Sequence, residues 1–286
     1  MFIKVENLSK NYGDIKAVKN ISFTVDEGSL FSFLGTNGAG KSTTINILTT
    51  LLEATSGTAT IGGYDVTKNP DEVRKLIGIV FQDSIMDNIL TVEENLTIRG
   101  SFYGYKGERL KQAVQNVITA TKSEDFAKQK YGTLSGGQRR RADIARALIH
   151  TPKILFLDEP TTGLDPKTRQ DVWELIRHLQ KEKGVTIFLT THYMEEASAS
   201  DQIIVIHKGE IKAQGTPDEL KERYSQNRLK MTLNTGEQRV VEIKRTIDAF
   251  DIIDDCRDQI THVEIISGTL DDVFLNLRGG NNENDD

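Results

Sequence analysis

The sequence predicts an α/β protein: a mostly parallel sheet covered on both faces by helices, with an antiparallel edge, a helical insert and a small α+β module downstream. Three observations carry that reading. Short continuous apolar runs alternate with amphipathic stretches, as strands buried on both faces require. The opening segment alternates with period two instead. A glycine-rich turn, Gly35-Thr36-Asn37-Gly38-Ala39-Gly40-Lys41-Ser42-Thr43, joins one apolar run to a helical stretch.

Taken in order, Ile3-Lys4-Val5 and Ile21-Ser22-Phe23-Thr24-Val25 supply the alternating, antiparallel edge. Strands follow at 29–34, 76–81, 154–158, 186–190 and 202–207, with amphipathic runs at 139–149 and 172–179 between them. Residues 93–131 hold no convincing strand, and a mostly helical insert is read over about 83–131. Gly215-Thr216-Pro217-Asp218-Glu219 is a helix start, with Thr216 as cap, Pro217 first and Glu219 closing a capping box. The domain boundary is placed there, giving 1–215 and 216–278. In the second unit, runs at 229–233 and 240–243 flank Asn234-Thr235-Gly236, a hairpin signal. A helix near 247–256, a strand at 262–266 and a helix at 270–277 complete an α+β module. The acidic tail 279–286 is expected to be disordered.

Composition narrows the function. With 36 basic and 42 acidic side chains in 286 residues, the chain carries net charge −6, against binding of nucleic acid through phosphates. The charge is uneven: residues 1–215 hold 27 basic and 26 acidic groups, residues 216–286 hold 9 and 16. No apolar run approaches the roughly 20 residues of a membrane span. The start MFIKVENLSK lacks an apolar core behind a basic end, so no secretory signal is expected. One cysteine, Cys256, leaves no internal disulfide and no cysteine metal site, and a cytosolic protein is expected.

The glycine-rich turn fits G-x-x-x-x-G-K-[ST] in its required strand-to-helix setting. Its glycines let successive N–H groups face one concavity that holds phosphate oxygens. Lys41 reaches the β- and γ-phosphates and the Ser42 hydroxyl can ligate Mg²⁺. The strand ending Ile154-Leu155-Phe156-Leu157-Asp158-Glu159 presents two carboxylates at the sheet's C-terminal edge, where α/β sites form. Asp158 would hold Mg²⁺ directly or through water, and Glu159 would polarise the attacking water; alone, such a pair can simply cap a helix. Leu134-Ser135-Gly136-Gly137-Gln138 precedes another helix and again exposes N–H groups to an anion, or serves as an N-cap. Two phosphate-grade helix starts beside one complete nucleotide site hint at a site assembled from two chains.

These motifs, followed by Thr162-Gly163-Leu164-Asp165 and Thr191-His192, occur in the order of the ATP-binding cassette (ABC) ATPases, and the chain resembles that family over residues 1 to about 215. The resemblance implies the P-loop ABC ATPase fold and a head-to-tail dimer with two ATPs, each between the P-loop of one subunit and Ser135–Gln138 of the other. It implies that Tyr12 stacks on adenine, the lesser alternative being a strand-end aromatic packed in the core. Gln82 would contact Mg²⁺ and sense the γ-phosphate, His192 would be the switch histidine facing it, and Asp165 would cross the dimer seam. The other histidines, His150, His178, His207 and His262, are read as unremarkable. Thr36 stands where many relatives have Pro, at a position that contributes backbone.

Thr190 to Ala197 and Thr269-Leu270-Asp271-Asp272-Val273-Phe274 are similar to the exporter branch whose membrane subunits are separate ABC-2 type chains, including drug-resistance systems. An ATPase homodimer or heterodimer on the cytoplasmic face of the membrane, held there by such a permease, is therefore expected. A repair ATPase is disfavoured, because only 94 positions separate Lys41 from Ser135, with no coiled coil between. A translation factor is disfavoured by the single cassette and acidic ends. An importer remains the harder alternative. Ile85, Met86, Ile89 and Leu90 are candidates either for docking the permease or for the insert's own core.

Overall fold

The computed structural model describes residues 1–279; the expected disordered tail lies outside the described residues from Gly280 onward. The chain opens with β1 (Ile3–Tyr12) and β2 (Ile15–Val25), then β3 (Leu30–Leu34), α1 (Lys41–Leu48), β4 (Ser56–Ile61), β5 (Tyr64–Asp65), α2 (Pro70–Leu76) and β6 (Ile77–Val80). The insert follows as α3 (Val92–Phe102) and α4 (Gly107–Ala120), and the chain returns through α5 (Gly136–Leu148), β7 (Ile154–Asp158), α6 (Pro166–Lys183), β8 (Thr186–Thr191), α7 (Met194–Ala197), β9 (Gln202–His207) and β10 (Glu210–Gly215). The remainder is α8 (Pro217–Tyr224), β11 (Asn227–Leu233), β12 (Gln238–Ile243), α9 (Asp248–Asp255), β13 (Ile260–Ile266) and α10 (Leu270–Gly279).

The central sheet runs β10-β9-β3-β8-β7-β6, parallel except for β10 against β9. Strand alternation sends successive side chains to opposite faces, so each strand is apolar on both sides. Leu30, Leu155, Leu157, Ile187 and Leu189 face the layer of α5, α6 and the insert. Phe31, Phe33, Phe156, Phe188 and Ile204 face α1 and the antiparallel strands. On that second face the rings of Phe23, Phe31, Phe33 and Phe156 lie 5.0–6.2 Å from Phe188 or from one another.

The antiparallel strands form a sheet of their own, β2-β1-β4-β5, folded over the same apolar cluster rather than extending the parallel sheet. Both its long strands run well past the short alternating segments read from sequence. β4, β5, β10 and α2 were not foreseen. The downstream sheet β12-β11-β13 contains the expected hairpin and encloses a separate small cluster of Leu229, Met231, Ile243 and Ala249 with α9.

The helices flanking that sheet behave differently. Leu220 of α8 and Leu270, Val273 and Phe274 of α10 share one apolar cluster with Leu34, Ala197, Ile203, Val205 and Ala213, across the boundary expected at 215/216. The expected Thr216 capping box is present, with Thr216 Oγ1 accepting from the Glu219 amide. Gly279, read as the first residue of the tail, is the last of α10.

Candidate active site

The glycine-rich turn leaves β3 and enters α1 at Lys41, with Gly40 as N-cap at φ 104° and no side chain closing the helix start. A Cβ at Gly40 would stand 2.6 Å from the Ala17 carbonyl oxygen, so both conformation and space demand glycine there. No hydrogen bond to another described residue engages the amides of Asn37, Gly38 or Gly40. Buried Lys41 has three donors, and all are committed: Gly35 O at 2.8 Å, Thr36 O at 3.1 Å and Glu159 Oε1 at 3.2 Å.

Asp158 ends β7 directly beside α1. Ser42 Oγ donates to its Oδ1 at 3.3 Å and Thr190 Oγ1 to the same atom at 2.5 Å. The next residue, Glu159, has φ 46°, a left-handed conformation that a non-glycine adopts at a cost of roughly 1–2 kcal/mol. The twist is held because its amide donates to Thr190 Oγ1 at 3.0 Å. Around the Glu159 carboxylate stand Lys41, Thr162 Oγ1 at 3.2 Å and His192 Nδ1 at 3.2 Å. Burial opposes ionisation of Glu159, but the Lys41 charge and hydrogen bond, helped by His192 and Thr162, hold its carboxyl below the usual range. One contiguous site thus joins Lys41, Ser42, Asp158, Glu159 and His192.

Other candidates sit apart from it. Ser135 caps α5 with a complete capping box: Gln138 Oε1 accepts from the Ser135 amide at 2.9 Å, and Ser135 Oγ accepts from the Gln138 amide at 3.4 Å. Ser135 and Gly136 are exposed, and no hydrogen bond or ion pair among the described residues joins 135–138 to the Gly35–Thr43 loop. Asp165 caps α6, accepting from the Thr168 amide at 3.1 Å, and the Thr168 hydroxyl together with that amide holds its carboxyl below the usual range. Gln82 is exposed just beyond β6 and lines a 420 Å³ cleft with Gly136, Arg140 and Asp143. Tyr12 is 47% exposed at the end of β1, outside the apolar core, with Lys10 Nζ 5.3 Å from its ring centre.

Sequence reasoning missed the residues that shape this site from behind. Thr190 holds both Asp158 and the twisted Glu159 backbone, and the strand register offers the signal, since Asp158 pairs with Thr190. Buried Glu196 accepts from the hydroxyls of Thr161 and Thr191, tying the segment after Glu159 to the segment before His192. No motif announces that triad.

Residues 18–162 match the family model described as ABC transporter. The chain is 39% identical to the daunorubicin/doxorubicin resistance ATP-binding protein DrrA of Streptomyces peucetius, covering 97% of this chain and 92% of that one. It is 41% identical to the linearmycin resistance ATP-binding protein LnrL of Bacillus subtilis, over 76% of this chain and 70% of that one. Among solved structures, the dimeric post-hydrolysis state of the ATP-binding cassette MJ0796 bound to ADP and Pi superposes with TM-score 0.68 and 32% identity, covering 75% of this chain and 98% of that one.

Proposed function

Because the chain belongs to the ABC transporter family of ATP-binding subunits, we propose that it powers an ABC-2 type exporter of drug-like compounds from the cytoplasmic face of the membrane. It is an ATPase. Among the described residues no helix is long and apolar enough to cross a membrane, so the transport path is assigned to a separate permease. The resistance proteins named above support the exporter reading over import.

The observation that carries the hydrolytic assignment is the three-way commitment of Lys41 to the loop carbonyls and Glu159. A phosphate entering the loop competes for those donors, because an ammonium has only three. When Lys41 turns to the γ-phosphate, the Glu159 carboxyl beside Thr162 and His192 is freed to accept a hydrogen bond from the attacking water. Mg²⁺ fits the donors present. Ser42 and Asp158 offer hard oxygens that would hold the ion. Gln82 is a further oxygen for it. A divalent cation held by these oxygens would supply charge neutralisation on the β- and γ-phosphates.

The second half of the site is assigned to a partner subunit, homologous or identical, whose Ser135–Gln138 and Asp165 meet the phosphate head to tail. Tyr12, being exposed, is available to adenine. Permease docking is assigned to the insert: Ile85 and Ile89 are 61% and 73% exposed, whereas Met86 is buried in the core. Ile85 also lines a 460 Å³ groove with Leu51, Phe81 and Phe102.

Glu159→Gln tests the catalytic assignment. Mg-ATP binding should persist while turnover falls by about two orders of magnitude or more. Near-normal steady-state ATPase would remove Glu159 from that role.

A further inference from the structure

An edge strand leaves alternate carbonyls without a strand partner, and β6 is such an edge. The outward carbonyls of β6 and of Phe81 just beyond it are taken up by a single neighbour, α5 and the second residue past it. His150 Nε2 lies 2.9 Å from Ile77 O, Arg146 donates to Ile79 O at 2.6 Å, and Arg140 donates to Phe81 O at 2.8 Å. The second arm of Arg140 reaches Gln82 O at 3.4 Å.

Satisfying an edge does not require guanidinium groups. Arg140 and Arg146 are only 8% and 6% exposed, and taking such charges out of water is costly. Asp143 lies between them and accepts from Ser84 Oγ at 2.5 Å. The segment from Phe81 to Ser84 is therefore strapped to α5 on both sides of Gln82. The far end of that same helix is Ser135.

We propose that Arg140 is a positioning residue for ATP hydrolysis, fixing the Phe81–Gln82 backbone to α5 so that Gln82 and the Ser135–Gln138 helix start move as one unit. This rests on the reading of Gln82 and Ser135 given above. A phosphate captured at the start of α5, in the site on the partner's loop, then carries Gln82 of the same chain toward its own site, and the two sites of the dimer close together.

The test is a double-mutant cycle on ATP turnover in the full chain with Mg-ATP. Arg140→Lys keeps the charge beside Asp143 but cannot fork across two carbonyls. It should lower kcat about tenfold with KM for ATP within about twofold, while in a Gln82→Ala background it should lower kcat by less than about twofold. If the two effects multiply, or if KM and Tm move instead of kcat, the coupling is overturned and Gln82 keeps its own role. If Gln82→Ala leaves kcat unchanged, the reading of Gln82 fails and the coupling with it. A second measurement needs no variant. On adding a non-hydrolysable ATP analogue to the unmodified chain, amide exchange at 79–84 and 135–146 should slow together. A change in one segment without the other overturns the proposal.

Discussion

The two glycine-rich helix starts, at Gly40 and at Ser135, solve the same electrostatic problem in opposite ways. Both gather amides at the positive end of a helix. At α1 no side chain closes the start, and the loop is braced instead from below by Lys41 and by close backbone packing. At α5 the start is closed on itself by Ser135 and Gln138. The same box stands at Thr91 and Glu94 before α3 and at Thr216 and Glu219 before α8, so the box alone marks no ligand. The difference teaches that α1 is built as a phosphate seat in one chain. The α5 box occupies the Ser135 and Gln138 amides, while the amides of Gly136 and Gly137 have no hydrogen bond to another described residue. On the reading proposed above, those amides meet a phosphate that another subunit brings.

The largest effects should come from breaking one start at a time. Lys41→Ala removes the brace of the first, and Ser135→Arg places bulk at the second. Each variant alone should be nearly inactive, and an equal mixture should recover about a quarter of wild-type ATPase if the sites of a two-fold dimer act independently. The decisive measurement is Ser135→Arg by itself: wild-type turnover would reduce that start to a helix cap.

A smaller effect separates packing from phosphate binding at the second start. A Cβ on Gly137 would stand 2.2 Å from Thr168 Cγ2, so α5 and α6 touch there through glycine. Gly137→Ala should cost about 1–3 kcal/mol in urea unfolding, from overpacking. Adding Thr168→Ser removes the offending methyl and should restore most of the loss. An unperturbed Gly137→Ala would show that this glycine is not held by α6.

The mildest test is at the other end of α5. Burial pushes the His150 pKa down to about 4 despite its hydrogen bond to Ile77 O, so the ring is neutral and donates through Nε2. The unfolded chain regains a pKa of about 6.5 and binds a proton that the folded chain refuses. This stabilising contribution is therefore present above pH 6.5 and is lost as pH falls toward 4. Between pH 7 and 5 it should amount to about 1 kcal/mol, allowing for partial solvent exposure. His150→Gln should lack that part of the acid sensitivity. An identical pH profile in the variant would show that His150 is not held neutral.

Much of the active site was legible because its residues obey local rules. The turn at Gly35–Thr43 and the strand ending in Asp158-Glu159 announce themselves by spacing, and the structure joins them through Lys41 and Ser42. What escaped depends on partners distant in sequence. Ser56-Gly57-Thr58-Ala59 in β4 carries almost no apolar signal and becomes a strand by pairing with β1. Glu210 to Gly215 in β10 alternates too weakly to be read, yet pairs with β9. Arg140, Asp143 and Arg146 look like a solvated face, and only the edge of β6 reveals why they are buried. His150 was read as unremarkable for the same reason.

The return of α10 onto the first domain has a consequence for the time course of synthesis. Leu34, Ala197, Ile203, Val205 and Ala213 emerge from the ribosome well before Leu270, Val273 and Phe274, which complete their cluster. At roughly 5–20 residues per second, that apolar patch waits uncovered for seconds on a domain otherwise ready to fold. The nascent chain therefore passes through an interval in which its sheet is formed and one face of it is still sticky. Slow codons between the two segments would lengthen that interval, and a chaperone that reads exposed leucine, isoleucine and valine would find its substrate there.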